Sequence, residues 1–275
     1  MPFADVVGVS YRYSQASVVA VLGQPSVLFG PSDDNIHLRS SADATQEQQI
    51  AQSSTLPLAI DLEGKHVWST HDFTITVRRL PQLDQVATLA HPDPLSGLRS
   101  FTSLSVGRTK ALVGGRDTTG RMLTWNEGLT QLRVARTWRI GGGIVGSTAL
   151  NPDETHAVFG THDGTIAVFE TGSDRDEPLC RLEGYTNPVE ALAFHPDGGW
   201  LASGGQDRVV RLWQRTETGY ELFMELGSAE AGPIGQLFFS RDGQRLFLRH
   251  ERETAVRVWH LDRLRASLTE LDLGW

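Results

Sequence analysis

Residues 189–214, VEALAFHPDGGWLASGGQDRVVRLWQ, read as three short strands joined by two tight turns. The run 189–194 alternates and meets a Pro196-Asp197-Gly198 turn. The run 200–203 ends at Gly204-Gly205-Gln206-Asp207, and 209–213 alternates again. Proline presets one turn dihedral and glycine tolerates positive φ, so both turns have a backbone cause. A unit of this kind has an apolar face that it cannot bury alone, and the chain solves that problem by repetition.

The residue ending each third strand marks the phase. Arg39, Arg78, Phe169, Trp213 and Trp259 each stand six positions after an acidic turn residue (Asp33, Asp72, Asp163, Asp207 and Glu253). Trp125 follows Asp117 with two residues inserted. Successive anchors are 39, 47, 44, 44 and 46 residues apart, a mean of 44. The first turn of each unit recurs in phase, at Gly23-Gln24-Pro25, Glu63-Gly64, Gly107, Pro152-Asp153, Asp197-Gly198 and Asp242-Gly243. A period of about 40–45 residues with several strands per unit predicts an all-β propeller of four-stranded blades, six counted and seven possible. The expected blades span 16–52, 53–91, 95–139, 140–183, 184–229 and 230–261, within one domain covering 1–275.

The last unit supplies only three strands. An unpaired blade edge invites aggregation, so the strand-like segment DVVGVSYRY at 5–13 is expected to fill the fourth place and close the ring. After Trp259, Leu261, Leu264, Leu268 and Leu271 form the stripe of an amphipathic helix, and 262–275 is expected to be a helical cap. The polar stretch 41–54 keeps the repeat phase and reads as a loop with a weak outer strand.

With 275 residues, 39% of them hydrophobic, the chain can bury a substantial core. A net charge of −8 argues against a general nucleic-acid binder. Between 241 and 265, seven arginines and four acids leave a local net of +3, for which arginine on exposed strand and helix faces is the simpler account. Cys180 stands alone, which excludes an intrachain disulfide and any CxxC motif. A reducing compartment fits, and a cytoplasmic location is expected. No apolar run approaches the roughly 20 residues of a membrane span, and the start lacks the basic and apolar regions of a secretory signal.

The arrangement VEALAFHPDGGWLASGGQDRVVRLW resembles the WD-repeat β-propellers, over about 16–261 in outline and most closely over 180–261. The tail WHLDRLRASLTELDLGW is similar to the ends of bacterial, planctomycete-type WD-repeat chains, where it often closes a longer polypeptide. In that family a hydrogen-bonded set of His, Asp, Ser/Thr and Trp often stiffens a blade. The resemblance carries Ser203, Asp207 and Trp213 onto three of those places as structural residues, with Trp259 in the Trp place of the last unit. The usual Gly-His is Gly184-Tyr185, Phe159 takes a Ser/Thr place, and Arg39 and Arg78 take Trp places, so no unit has the full set.

Several motifs point to chemistry and fail on context. Residues 141–146, GGGIVG, satisfy GxGxxG with Asp163 at 20 residues past Gly143. The dinucleotide motif needs a following helix, and STALNPDE runs instead into a turn. Residues 115–122 have the glycine spacing of a phosphate loop but carry Arg121 and Met122 where Lys and Ser/Thr are needed, and read as a lengthened turn. The pairs His66/His71 and His156/His162 lack the third and fourth ligands of a zinc site. No GxSxG elbow is present. The expectation is therefore no catalytic set, no metal and no cofactor.

What remains is a protein–protein interaction scaffold using loops held on rigid blades. The resemblance places the binding residues beside the turn acid and near the first strand: His71, Arg116, His162, Gln206 and Arg252, with Asn187 and Glu190. The partner is an unidentified protein, and the chain works as a monomer or within a longer polypeptide. The alternatives are a propeller enzyme with a metal or hydrolytic site over the central channel, disfavoured by the apolar and small inner runs 189–194 and 234–239, or the interaction fragment of a larger signalling protein.

Overall fold

The computed structural model describes residues 17–20, 26–30, 35–40, 47–51, 55–61, 64–71, 73–91, 101–227, 232–251 and 256–270; for 17–58 and His71 only the backbone is described. Among these, the strands form six antiparallel sheets, each built from consecutive strands in chain order. These are the blades. Their inner strands are Ser17–Ala20, Thr55–Ile60, Phe101–Val106, Val145–Leu150, Val189–Phe194 and Ile234–Phe239. The first five blades end in outer strands Glu47–Ala51, Asp84–Ala90, Leu132–Arg139, Cys180–Leu182 and Tyr220–Gly227. The sixth has three described strands, ending at Val256–His260. The segment 5–13 expected beside it lies outside the described residues.

Both periodic acids have one local cause. After the second strand, Asp117, Asp163 and Asp207 accept the backbone N–H two residues on, from Thr119 (3.3 Å), Thr165 (3.1 Å) and Val209 (3.2 Å). The intervening Thr118, Gly164 and Arg208 are left-handed, with φ of 63°, 93° and 66°. After the first strand, Asp153, Asp197 and Asp242 do the same for Thr155 (2.9 Å), Gly199 (2.7 Å) and Gln244 (3.0 Å). An aspartate that bonds its own turn replaces a lost ladder contact, and this is why an acid recurs at these turns.

The core lies between blades. Leu112, Trp138 and Ile140 of the third blade pack on Val145, Phe159 and Phe169 of the fourth, with Trp138 stacked 5.1 Å from Phe169. Val158, Val168 and Leu182 meet Val189, Leu201 and Trp213, and Ala191, Val210 and Leu212 meet Ile234, Leu237 and Leu246. Alternate residues of one strand face opposite neighbours, so the third, fourth and fifth blades are buried on both faces. Close approach at these joints falls on glycine: a Cβ on Gly160 would lie 2.8 Å from Val189, and one on Gly204 2.9 Å from Ile234.

Two expectations are corrected. The hairpin of the third blade is not lengthened. Val113 pairs with Arg121 as Ser203 pairs with Arg211, so the anchor place belongs to Leu123, which is fully buried. Trp125 lies two residues further and packs on Trp68 at 5.1 Å. With Leu123 as anchor, the last four spacings become 45, 46, 44 and 46. The glycines of that hairpin answer to packing, since a Cβ on Gly120 would strike the Phe159 ring at 2.4 Å. The helix begins one residue early, at Leu261–Glu270. Its Leu261 is buried in the core between the fifth and sixth blades, beside the half-buried Trp259.

Candidate functional site

The fifth blade shows how the exposed loops are held. Trp213 Nε1 donates to Ser203 Oγ at 2.7 Å, and the Tyr185 hydroxyl lies 2.8 Å from the same oxygen. Tyr185 thus takes the bonding place left by the missing histidine. Burial, opposed by the bonds from Ser203 and Arg211, pushes its phenol up to about 12. Asp207 is not joined to serine and tryptophan directly. It ion-pairs with Arg211, whose guanidinium lies 4.0 Å over the Tyr185 ring and donates to Glu225 at 2.8 Å. Burial lowers the Arg211 pKa, and its bonds to Asp207 and Tyr185 more than reverse this, so the net shift is upward.

Sequence reasoning missed Arg211. The signal was present: an arginine stands four residues after the turn acid in three units (Asp117/Arg121, Asp207/Arg211 and Glu253/Arg257). In the third blade Asp117 pairs with the buried Arg121, and His91 Nε2 lies 3.5 Å from its carboxylate. Burial raises the Asp117 pKa, but the bonds from Arg121 and Thr119 outweigh it and hold the carboxyl below its usual range. The second blade solves the same problem differently, with Arg78 Nη1 in the Trp place donating to Ser69 Oγ at 3.4 Å. The fourth replaces polar bonding with rings, Phe159 and Phe169 meeting edge-on at 6.0 Å.

These supports fix one end of the blades, where the turns after the second strands meet the starts of the inner strands. Each inner strand from the second blade to the sixth begins with a register shift against its neighbour. Such a bulge re-aims the extra side chain. In the last four blades the extra residues are Thr102, Gly146, Glu190 and Gly235.

The structure brings two expected residues together. His162 Nε2 lies 3.4 Å from Glu190 Oε1 across the joint between the fourth and fifth blades. Gln206 Nε2 donates to Glu251 Oε1 at 3.0 Å across the next joint. Asn187 is exposed and donates to Thr186 Oγ1 at 3.3 Å, and Arg116 is half-buried in the turn before Asp117. His71 ends the second strand of the second blade, its side chain outside the described residues, as is all of Arg252.

The decoys resolve structurally. Gly141 and Gly142 are left-handed (φ 85° and 71°) in the loop between the third and fourth blades, and a Cβ on Gly142 would overlap the Asp163 carboxylate. Among the described residues, no three His, Cys, Asp or Glu side chains converge in a metal-binding group. No described helix is long and apolar enough to cross a membrane.

Comparison with known proteins places this geometry. The WD domain, G-beta repeat family matches residues 176–214, which take in the outer strand of the fourth blade and the first three strands of the fifth. The chain is 32% identical over 145 residues to eukaryotic translation initiation factor 3 subunit I of Drosophila virilis, covering 48% of this chain and 43% of the relative. For the Drosophila melanogaster protein of that name the figures are 31% over 134 residues, 44% and 40%. The match thus spans less than half the length of these curated relatives. With five four-stranded blades among the described residues and a repeat matched across the fourth and fifth, the chain carries a WD repeat and has the fold of a WD-repeat β-propeller.

Proposed function

We propose that this chain is a non-catalytic interaction scaffold, and that the blade end carrying Arg116, His162, Asn187, Glu190 and Gln206 is its protein-binding face. The observation that carries the assignment is the pairing of His162 with Glu190 and of Gln206 with Glu251 across successive blade joints. Polar groups on separate blades are thereby held in one fixed rim, as a multipoint contact with a protein requires. His71 and Arg252 extend the same series by sequence. The similar Drosophila proteins are by name subunits of an initiation factor, which supports a role that consists of holding other proteins. A cytoplasmic location accords with that role. A place within a longer polypeptide is proposed with it, and residues 5–13 are proposed to complete the sixth blade.

Photo-crosslinking tests the face. A photoreactive residue at Asn187 or Gln206 should trap the same partner, and one at Asp242, in a first-strand turn at the opposite end of its blade, should not. An Arg116/His162/Asn187/Gln206 alanine variant that keeps its fold and every partner would refute the assignment.

A further inference from the structure

The inner strands of the second to sixth blades line a central cavity of about 470 Å³, within the range of small-molecule sites. One position in that wall departs from the repeat. Leu58, Leu104, Leu192 and Leu237 hold equivalent registers, paired with Ser69, Val113, Ser203 and Leu248. In the fourth blade the residue is Thr148, paired with Phe159. Thr148 lines the cavity, is 6% exposed, and its hydroxyl has no hydrogen-bond partner among the described residues. Neighbouring hydroxyls are used: Thr102 donates to Val145 O at 2.5 Å and Ser147 to Val189 O at 2.9 Å, each tying one inner strand to the next. Where a repeat breaks its own apolar rule and leaves a polar group unmet, a site is the first explanation to test.

The two ends of the cavity differ in charge. At the end formed by the first-strand turns, the exposed Arg108 and Arg241 line it. Glu154 stands beside them, but its carboxylate accepts the backbone N–H groups of Arg108 and Thr109 and the Thr109 hydroxyl. Glu190, paired with His162, occupies the other end. The wall between is mostly small or apolar, with Leu104, Ala149, Leu192 and Phe238.

We propose that this cavity binds a small organic anion, its apolar body in the channel, a polar atom on the Thr148 hydroxyl, and its carboxylate or sulfonate between Arg108 and Arg241. The probe is 8-anilinonaphthalene-1-sulfonate, with uncharged N-phenyl-1-naphthylamine as its comparison, titrated by fluorescence into the full chain. Saturable one-to-one binding is expected. Arg108→Ala with Arg241→Ala should weaken the sulfonate at least tenfold, the scale of one lost charge-assisted bond, and change the amine less than about twofold. Thr148→Leu, which restores the repeat's own residue and fills the wall, should abolish both. Thr148→Val keeps the shape without the hydroxyl and should weaken the sulfonate roughly fivefold, so the test survives a misfolded leucine variant. Wild-type affinity in a folded Thr148→Leu chain overturns the proposal, as does non-saturable binding by the wild type. A Thr148→Val affinity equal to wild type removes the hydroxyl from the site and overturns it equally.

Discussion

Ser203→Ala tests the physical account of the fifth blade. Ser203 is fully buried, and its oxygen is the acceptor for Trp213 Nε1 at 2.7 Å and the neighbour of the Tyr185 hydroxyl at 2.8 Å. Removing it orphans an indole N–H on a residue only 3% exposed. It also strips one bond from a phenol whose remaining bonding partner is Arg211. A buried donor left unmet costs about 1–3 kcal/mol, and the lost bond to a retained partner about 1 kcal/mol, so the expected loss is about 2–4 kcal/mol. At about 2–4 °C per kcal/mol for a chain of this size, the melting temperature should fall by about 4–16 °C. Urea unfolding followed by tryptophan fluorescence and far-UV circular dichroism reads the change. Tyr185→Phe should cost less, about 1 kcal/mol, because Ser203 keeps Trp213. Since both changes act on one oxygen, the double variant should fall short of their sum by more than about 0.5 kcal/mol. A Ser203→Ala loss under about 0.5 kcal/mol, or strict additivity, would refute the network as a source of stability.

Other outcomes follow from the same contacts. Gly204→Val should destabilise by about 1–3 kcal/mol, because the added side chain enters the space of Ile234; an unchanged melting temperature would show that the joint yields freely. The Tyr185 phenol has a folded pKa of about 12 against about 10 unfolded, so its contribution of about 2–3 kcal/mol is fully present below pH 10 and lost as pH rises through 12. Tyr185→Phe should flatten that alkaline limb, and an identical limb in the variant would contradict the assignment. For Asp153, burial raises the pKa, but Thr155 and Arg215 bonds pull it down to about 2. Its contribution therefore holds above about pH 4 and is lost as pH falls through 2, and Asp153→Asn should blunt that acid loss. Deleting residues 1–14 should lower the melting temperature sharply if they complete the sixth blade, and an unaltered melt would exclude them from it.

The periodicity was legible in the sequence because its causes are local. A turn aspartate bonds a backbone N–H two residues away, and the next residue or glycine is left-handed, so the acid must recur wherever the hairpin recurs. Alternation along each strand follows equally from the pleat. Those constraints act within a few residues and suffice for an all-β propeller. Even there the anchor slipped at Trp125, since two large apolar residues two positions apart share a face and only the pairing of Val113 with Arg121 separates them.

The partners of the site residues were not legible, because they lie many residues away, on another strand of the same blade or on the next blade. Tyr185 and Ser203 are 18 residues apart, Gln206 and Glu251 45, and no local pattern records which donor a buried serine receives. A tyrosine could replace the family's histidine only because Arg211 covers its ring and Ser203 lies within hydrogen-bond reach. Thr148 is the same case in reverse. In sequence it is one polar residue in an inner run, and it becomes conspicuous only when register places it among leucines with its hydroxyl unmet. The sequence by itself determined the repeat, the turns and the alternation of the strands, through interactions a few residues long. The tertiary structure alone decided which polar groups meet across the blade joints, because those contacts depend on the packing of sheets that the chain reaches only some 44 residues later.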